Sequence, residues 1–258
     1  MMHRFTSAII AIGALSPIAC AQQPAMTITE AEIVATHPHD PEAFTQGLFF
    51  ADGALFESTG RVGQSSLRRI DLQTGLVEQS TEIPAPYFGE GSVRVGDEIF
   101  MLTWQAGTGF VFDAETFEQT DTFSYPGEGW GLTYDGSQLI LSDGTSVLRF
   151  LDPTTLELTG TLNVTLNGRP RDDLNELEWI NGEIWANIWR SRFIVRIDPD
   201  TGDVLAVVDL DPIIRLAHQT STAGVANGIA WNPETDRTYI TGKLWAELYE
   251  IRLSGDSD

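Results

Sequence analysis

The stretch Asn175-Glu176-Leu177-Glu178-Trp179, the turn Asn181-Gly182 and the run Ile184-Trp185-Ala186-Asn187-Ile188-Trp189 compose two strands and a tight turn. A third run follows and ends at Ile197-Asp198. β-Branched and aromatic runs bounded by Asn-Gly and Asp turns are the signature of short antiparallel strands. The same unit occurs on both sides. Gln46-Gly47-Leu48 precedes Asp52-Gly53 and Leu55-Phe56-Glu57-Ser58-Thr59, and Glu90-Gly91-Ser92 precedes Gly96-Asp97 and Ile99-Phe100-Met101-Leu102-Thr103-Trp104. Trp130-Gly131-Leu132 precedes Asp135-Gly136 and Leu139-Ile140-Leu141-Ser142-Asp143. Asn227-Gly228-Ile229 precedes a longer turn and Tyr239-Ile240-Thr241-Gly242-Lys243. Third strands end at Ile70-Asp71, Phe112-Asp113 and Leu151-Asp152 as they do at Ile197-Asp198, and a fourth run follows each.

The lead residues Gln46, Glu90, Trp130, Asn175 and Asn227 are 44, 40, 45 and 52 residues apart. Repeats of that size with four strands each are propeller blades. The fifth copy stops after three strands, at Glu250-Ile251-Arg252. The N-terminal run Glu32-Ile33-Val34-Ala35-Thr36 is expected to supply its fourth strand, closing the ring and removing an exposed edge. The fold expected is therefore all-β, a five-bladed β-propeller, with residues 22–258 as one domain.

Residues 1–21 read as a secretory signal peptide. Arg4 precedes the apolar run Ala8 to Leu15, and Ala19-Cys20-Ala21 offers a cleavage site that would leave Gln22 near the new terminus. The run is too short to span a membrane. The expected destination is the periplasm or the medium. Cys20 would be a lipid-attachment site only in a lipobox, and Pro17 stands where that motif has leucine. Cys20 is the only cysteine, so thiol catalysis, disulfides and cysteine-based metal sites are excluded from the folded part. The formal charge of −22, from 37 acidic and 15 basic residues, disfavours nucleic acid and anionic membrane surfaces as partners. A monomer is the default expectation.

In a propeller, equivalent positions of the repeats gather in a ring around the channel mouth. The lead column reads Gln46, Glu90, Trp130, Asn175, Asn227. A second column, 14 residues on once the longer last turn is allowed for, reads Gly60, Trp104, Gly144, Trp189, Lys243. Lys243 is the only lysine in the chain. Positions with a purely structural duty tend to repeat one residue type. Here they hold one acid, one base, amides and indoles, the makeup of a small-molecule pocket. Polar caps on channel strands would draw on the same residue types, but Glu90 and Lys243 in one ring favour a site.

The segments Phe44-Thr45-Gln46-Gly47-Leu48, Tyr87-Phe88-Gly89-Glu90-Gly91, Gly129-Trp130-Gly131-Leu132-Thr133, Leu174-Asn175-Glu176-Leu177-Glu178-Trp179, Ala186-Asn187-Ile188-Trp189 and Thr241-Gly242-Lys243 resemble the plant and bacterial type of glutaminyl-peptide cyclotransferase. The resemblance runs from about Glu32 to Ile251. It implies a five-bladed propeller that converts N-terminal glutamine of peptides or proteins into pyroglutamate without metal or other cofactor. It places the family's acid/base glutamate on Glu90, its asparagine on Asn175, its lysine on Lys243 and its pocket tryptophans on Trp104, Trp130 and Trp189. Gln46 and Phe88 match further pocket positions. In such a reaction Glu90 would move the proton, while Lys243 and Asn175 would stabilise the oxyanion. The N–H of Trp130 or Trp189 would be free to donate to a substrate carbonyl. Trp179, Trp185, Trp231 and Trp245 are assigned to the core.

Of the four histidines, His37 and His39 flank a proline in His37-Pro38-His39-Asp40, too few ligands for a metal without further partners. Two other classes stay open on sequence. One is an exported propeller that binds a ligand without catalysis; the other is a metal-dependent propeller hydrolase using Glu90, Asn175 and Asn227 as ligands.

Overall fold

The computed structural model describes residues 27–219 and 222–254. The leader, Cys20 and Gln22 lie outside the described residues. Among the described residues the regular structure is almost all strand, with one short helix, Asp211–Ala217. Four antiparallel groups follow one another: Thr45–Ala51, Ala54–Thr59, Ser66–Ile70 and Val77–Glu82; then Gly89–Val95, Glu98–Thr103, Thr108–Asp113 and Gln119–Ser124; then Leu132–Tyr134, Leu139–Leu141, Val147–Leu151 and Leu158–Asn163; then Leu174–Ile180, Glu183–Ile188, Phe193–Ile197 and Val204–Asp209. Ala226–Asn232, Arg237–Gly242 and Glu247–Leu253 form three strands of a fifth group. The N-terminal strand Thr27–Pro38 completes that group. Its second half pairs antiparallel with Glu247–Leu253, and its first four residues pair parallel with Ala206–Asp209 of the fourth group. This strand is longer than the run read from sequence and joins two groups rather than one.

Aspartates end the third strands for a local reason. The side chains of Asp71, Asp113, Asp152 and Asp198 each accept backbone N–H groups two or three residues on. Such bonds make the turn without help from the sheet. The groups also share a polarity gradient. First and second strands are buried on both faces, whereas fourth strands such as Val77–Glu82 and Gln119–Ser124 are mostly exposed. Inner strands are therefore rich in apolar residues and the outer strands of the first three groups are polar, whereas Val204–Asp209, paired on its outer edge with Thr27–Glu30, stays apolar.

Apolar packing lies between groups. Phe49, Phe56 and Leu67 pack against Ile99, Met101 and Phe110, with Phe49 and Phe56 stacked at 4.9 Å. Phe100 and Leu102 meet Leu132 and Leu141, and Ile140 and Leu148 meet Leu177 and Ile184. Trp185 and Ile194 meet Ile240 and Trp245, and Leu248 and Tyr239 return to Leu48 and Leu55 of the first group. Trp185 and Trp245 are buried, while Trp179 and Trp231 are half-buried at the margins of these clusters. The first strands close the same circuit, each packing on the next and Ala226–Asn232 packing back on Thr45–Ala51. The result is a propeller.

Glycines set how close the first strands come. After each lead residue stands Gly47, Gly91, Gly131, Glu176 or Gly228. A Cβ at Gly131 would lie 2.1 Å from the Asn175 carbonyl oxygen, and one at Gly91 would lie 2.6 Å from the Leu132 nitrogen. The exception, Glu176, is itself buried, and its carboxylate accepts the N–H groups of Leu48 and Ile229. It thereby braces the first and fifth groups from the fourth. Burial, with the nearby Glu178 adding to it, pushes the Glu176 carboxyl well above the usual range. Glu178, buried and accepting from the Trp231 N–H, is pushed up to about 8.

Gly131→Ala, which places a methyl against a carbonyl that cannot retreat, is expected to cost ~3 kcal/mol or more and lower the thermal midpoint by roughly 6–12 °C. Gly160→Ala, whose Cβ would meet only Phe150 at 3.9 Å, is the control and is expected to stay within about 0.5 kcal/mol of the parent. Calorimetry of the two variants checks the difference.

Candidate active site

The strand pairing explains why the lead residues project as they do. The register shifts between Thr45 and Gly47, between Gly89 and Ser92, between Leu174 and Leu177, and between Ala226 and Ile229. Each shift is a bulge that contains a lead residue. A bulge bends the strand and re-aims a side chain, here out of the sheet toward the mouth. The second column is tied to the same place by backbone. The amides of Gly60, Trp104, Trp189 and Lys243 donate to the carbonyls of Phe44, Phe88, Asp173 and Val225, each two residues before a lead residue. Second-strand side chains then fix the lead residues' own backbone: Ser58 donates to the Glu90 carbonyl at 2.7 Å and Ser142 to the Asn175 carbonyl at 2.6 Å.

One cavity of about 210 Å³ is lined by Phe44, Gln46, Phe88, Glu90, Trp104, Trp130, Asn175, Trp189 and Lys243. All eight residues selected from sequence are in it, and Phe44 is added. Asn227 does not line it. Its amide donates to the Thr45 carbonyl at 3.0 Å and to Gln46 Oε1 at 3.2 Å, so this lead residue anchors Gln46 from behind. The set Glu90, Asn175 and Asn227 is thus not assembled as ligands around one point.

Aromatic rings form the walls. Trp130 and Trp189 meet edge to face at 5.4 Å, Phe88 and Trp104 at 5.8 Å, and Phe44 and Phe88 at 6.1 Å. The two glycines of the second column make room for rings: a Cβ at Gly60 would lie 2.3 Å from Phe88, and one at Gly144 2.6 Å from Trp130. The Lys243 ammonium lies 4.9 Å from the Phe44 ring centre, and the Arg61 guanidinium 4.8 Å from the same ring. Both contacts fit cation–π geometry. Arg190 lies over Trp189 at 4.1 Å.

Glu90 and Lys243 are 4% and 7% exposed. Burial pushes the Glu90 carboxyl well above the usual carboxylate range; Lys243 opposes that shift and Glu128 adds to it. Burial likewise lowers the Lys243 ammonium, with Glu90 opposing. Each charge partly stabilises the other in a site that disfavours both. A carboxyl lifted toward neutrality can both take and return a proton near physiological pH.

Glu128 is the residue that sequence reading missed. Its carboxylate accepts the indole N–H groups of Trp104 at 2.8 Å and Trp130 at 2.9 Å, and the amide of Gln105 at 2.9 Å. Burial opposes its ionised form, but these three donors outweigh that and lower its pKa. The expected role for the Trp130 N–H is corrected accordingly: it is spent on Glu128, and Trp130 offers the pocket its ring. A signal for both omissions was present in the repeat. The column two residues before the lead reads Phe44, Phe88, Glu128, Asp173, Val225, and three of its five members wall the cavity or hold its walls.

The histidine pair has a structural task. His39 is buried, with Nδ1 at 2.7 Å from the Trp245 carbonyl and Nε2 at 3.0 Å from Glu57. Burial disfavours its charged ring, yet the adjacent Glu57 carboxylate raises its pKa overall. His37 lies 3.7 Å from Glu250. Among the described residues no group of three or more His, Cys, Asp or Glu is placed to hold a metal ion.

Comparison with known proteins places the chain in a lineage. A glutaminyl-peptide cyclotransferase from Arabidopsis thaliana is 45% identical over 230 residues, covering 88% of this chain and 72% of the relative. The crystal structure of Myxococcus xanthus glutaminyl cyclase matches with a TM-score of 0.84 at 39% identity, covering 88% of this chain and 98% of that one. The WD40 β-propeller domain of Doa1, at 12% identity, matches with a TM-score of 0.50 over 81% of this chain and 63% of its own, a likeness of fold alone. Residues 6–253 match the family described as glutamine cyclotransferase, and the chain belongs to that family.

Proposed function

We propose that this chain is a glutaminyl-peptide cyclotransferase, converting the N-terminal glutamine of a peptide or protein to pyroglutamate with release of ammonia. The observation that carries the reading is a small cavity in which a buried carboxylate and the only lysine share space with two amides and five indole or phenyl walls. The family membership agrees with it. The leader read from sequence adds export to the proposal.

The reaction is an intramolecular aminolysis. The α-amine attacks the δ-carbon of its own side chain, a new N–C bond closes the five-membered ring, and the old C–N bond breaks to release ammonia. Reactant proximity is built into the substrate, so the protein's task is to hold the side chain folded back. Close-set rings of Phe44, Trp104, Trp130 and Trp189 suit a short methylene stem. Glu90 takes a proton from the attacking amine and returns it to the departing nitrogen, so no free amide anion forms. Lys243 and Asn175 receive the negative charge that develops on the former amide oxygen. Gln46, held by Asn227, offers a further polar contact beside them.

Glu90→Gln is expected to leave the fold and the thermal midpoint nearly unchanged while lowering kcat by about 10²–10⁴-fold. Ammonia release from a Gln-Ala amide peptide measures it, and an appreciable residual rate would remove Glu90 from proton transfer. Lys243→Arg keeps the charge but not the compact ammonium and is expected to lose most of the turnover in the same assay. Glu128→Gln removes the charge and one of the two oxygens that accept from Trp104, Trp130 and Gln105, and is expected to lower kcat/KM about tenfold, or ~1.4 kcal/mol. It also removes a negative charge that raises Glu90. The Glu90 carboxyl then ionises at lower pH, and the acid limb of the kcat/KM profile is expected to move to lower pH. A profile superimposable on the parent's would contradict that coupling.

A further inference from the structure

A second cavity of about 360 Å³ adjoins the first. Val62, Pro86, Tyr87 and Ala106 line it together with Phe88 and Trp104, the two rings that also wall the candidate active site. No charged side chain lines it. Val62 is 57% exposed and Trp104 40%, so large apolar side chains face water on both sides of the groove. Adjoining exposed apolar groups of this kind mark a place where something binds.

The groove is built rather than incidental. The loop carrying Val62 is pinned at Arg61, whose carbonyl accepts the Gln64 N–H at 2.9 Å and the Ser65 hydroxyl at 2.8 Å. The Tyr87 amide donates to the Pro84 carbonyl at 3.0 Å, and the Tyr87 ring packs edge-on against Phe110 at 5.1 Å. Trp104, the partition between the two cavities, is held by its amide to Phe88 and by its indole N–H to Glu128. The same fixed ring therefore lines both cavities.

We infer that this groove is the subsite for the residue that follows the substrate's glutamine, and that it favours a large apolar or aromatic side chain there. The inference rests on the cyclase reading above. The first cavity has room for little more than one folded glutamine, so the rest of the peptide leaves through the mouth. Phe88 and Trp104 form the wall it crosses, and the groove lies directly beyond them. An aromatic or branched side chain at that point covers Val62 and the outer face of Trp104. A charged one gives up hydration and meets no opposite charge on the lining, whose polar members are the neutral Thr103 and Gln105. A glycine leaves the groove empty.

The test compares kcat/KM of the full chain for glutaminamide and for Gln-Gly, Gln-Phe and Gln-Asp peptide amides, by ammonia release. Gln-Phe is expected to exceed Gln-Gly by about tenfold, mainly through a lower KM, and Gln-Asp to fall at or below Gln-Gly. Val62→Asp, at an exposed position outside the catalytic cavity, is expected to bring Gln-Phe down to the level of Gln-Gly. It should leave glutaminamide and Gln-Gly turnover unchanged. Equal kcat/KM for Gln-Phe and Gln-Gly would overturn the subsite while leaving the cyclase reading in place, as would a Val62→Asp variant that slows every substrate alike. Ammonia from none of the substrates would overturn the cyclase reading and this subsite with it.

Discussion

Everything at the mouth of this propeller depends on how closely the first strands approach at the hub. Four of the five positions behind the lead residues are glycine, and at Gly91 and Gly131 the next strand's backbone occupies the space a side chain would need. The Gly91 N–H donates to the Trp130 carbonyl at 2.7 Å across one such approach. With strands this close, lead residues from neighbouring groups converge on one small volume. Glu176, at the fifth position, reaches in the other direction and accepts amides from two other groups. The same seclusion that makes the hub tight pushes its buried carboxyl well above the usual carboxylate range.

Convergence creates the electrostatics of the site. Glu90 and Lys243 come from the second and fifth groups, far apart in sequence, and each is buried enough that its own charge is disfavoured. Each also moderates the other's shift. Glu90, raised by its burial, takes up a proton more readily than an exposed carboxylate, as a group that must serve as base and then as acid requires. Glu128 sets the opposite boundary. It stays ionised at the mouth because three N–H donors hold it, and those bonds lock two tryptophan walls. The rings are thus positioned by a charge outside the cavity, and the charge inside is left for chemistry.

Much of this was legible in the sequence because a propeller converts a period along the chain into a ring in space. The turn residues marked the strands, and two equivalent columns contained seven of the eight residues selected from sequence, all but Phe88. Phe88 came from the family resemblance. Phe44 and Glu128 stand with Phe88 in a third column, where a phenylalanine and a glutamate do not look alike. What Trp130 does with its N–H could not be read from a linear pattern, because its acceptor is decided by a loop conformation. Glu176 and Glu178 alternate with apolar residues as an ordinary half-exposed strand would, so their burial was hidden. The helix Asp211–Ala217 lies in the connection between the fourth and fifth groups, where the period lengthens, and Thr27–Glu30, paired parallel with the fourth group, precedes the first repeat, so the repeat carries no information on either.

The central claim is that the pocket closes a glutamine onto its own amine. The most direct measurement follows one synthetic peptide with N-terminal glutamine, incubated with the purified protein, by mass spectrometry and ammonia determination together. The account predicts one ammonia released for each peptide that loses the mass of ammonia, at a rate far above the peptide alone and undiminished by a chelator. A peptide recovered unchanged, with its N-terminal glutamine intact, would contradict it.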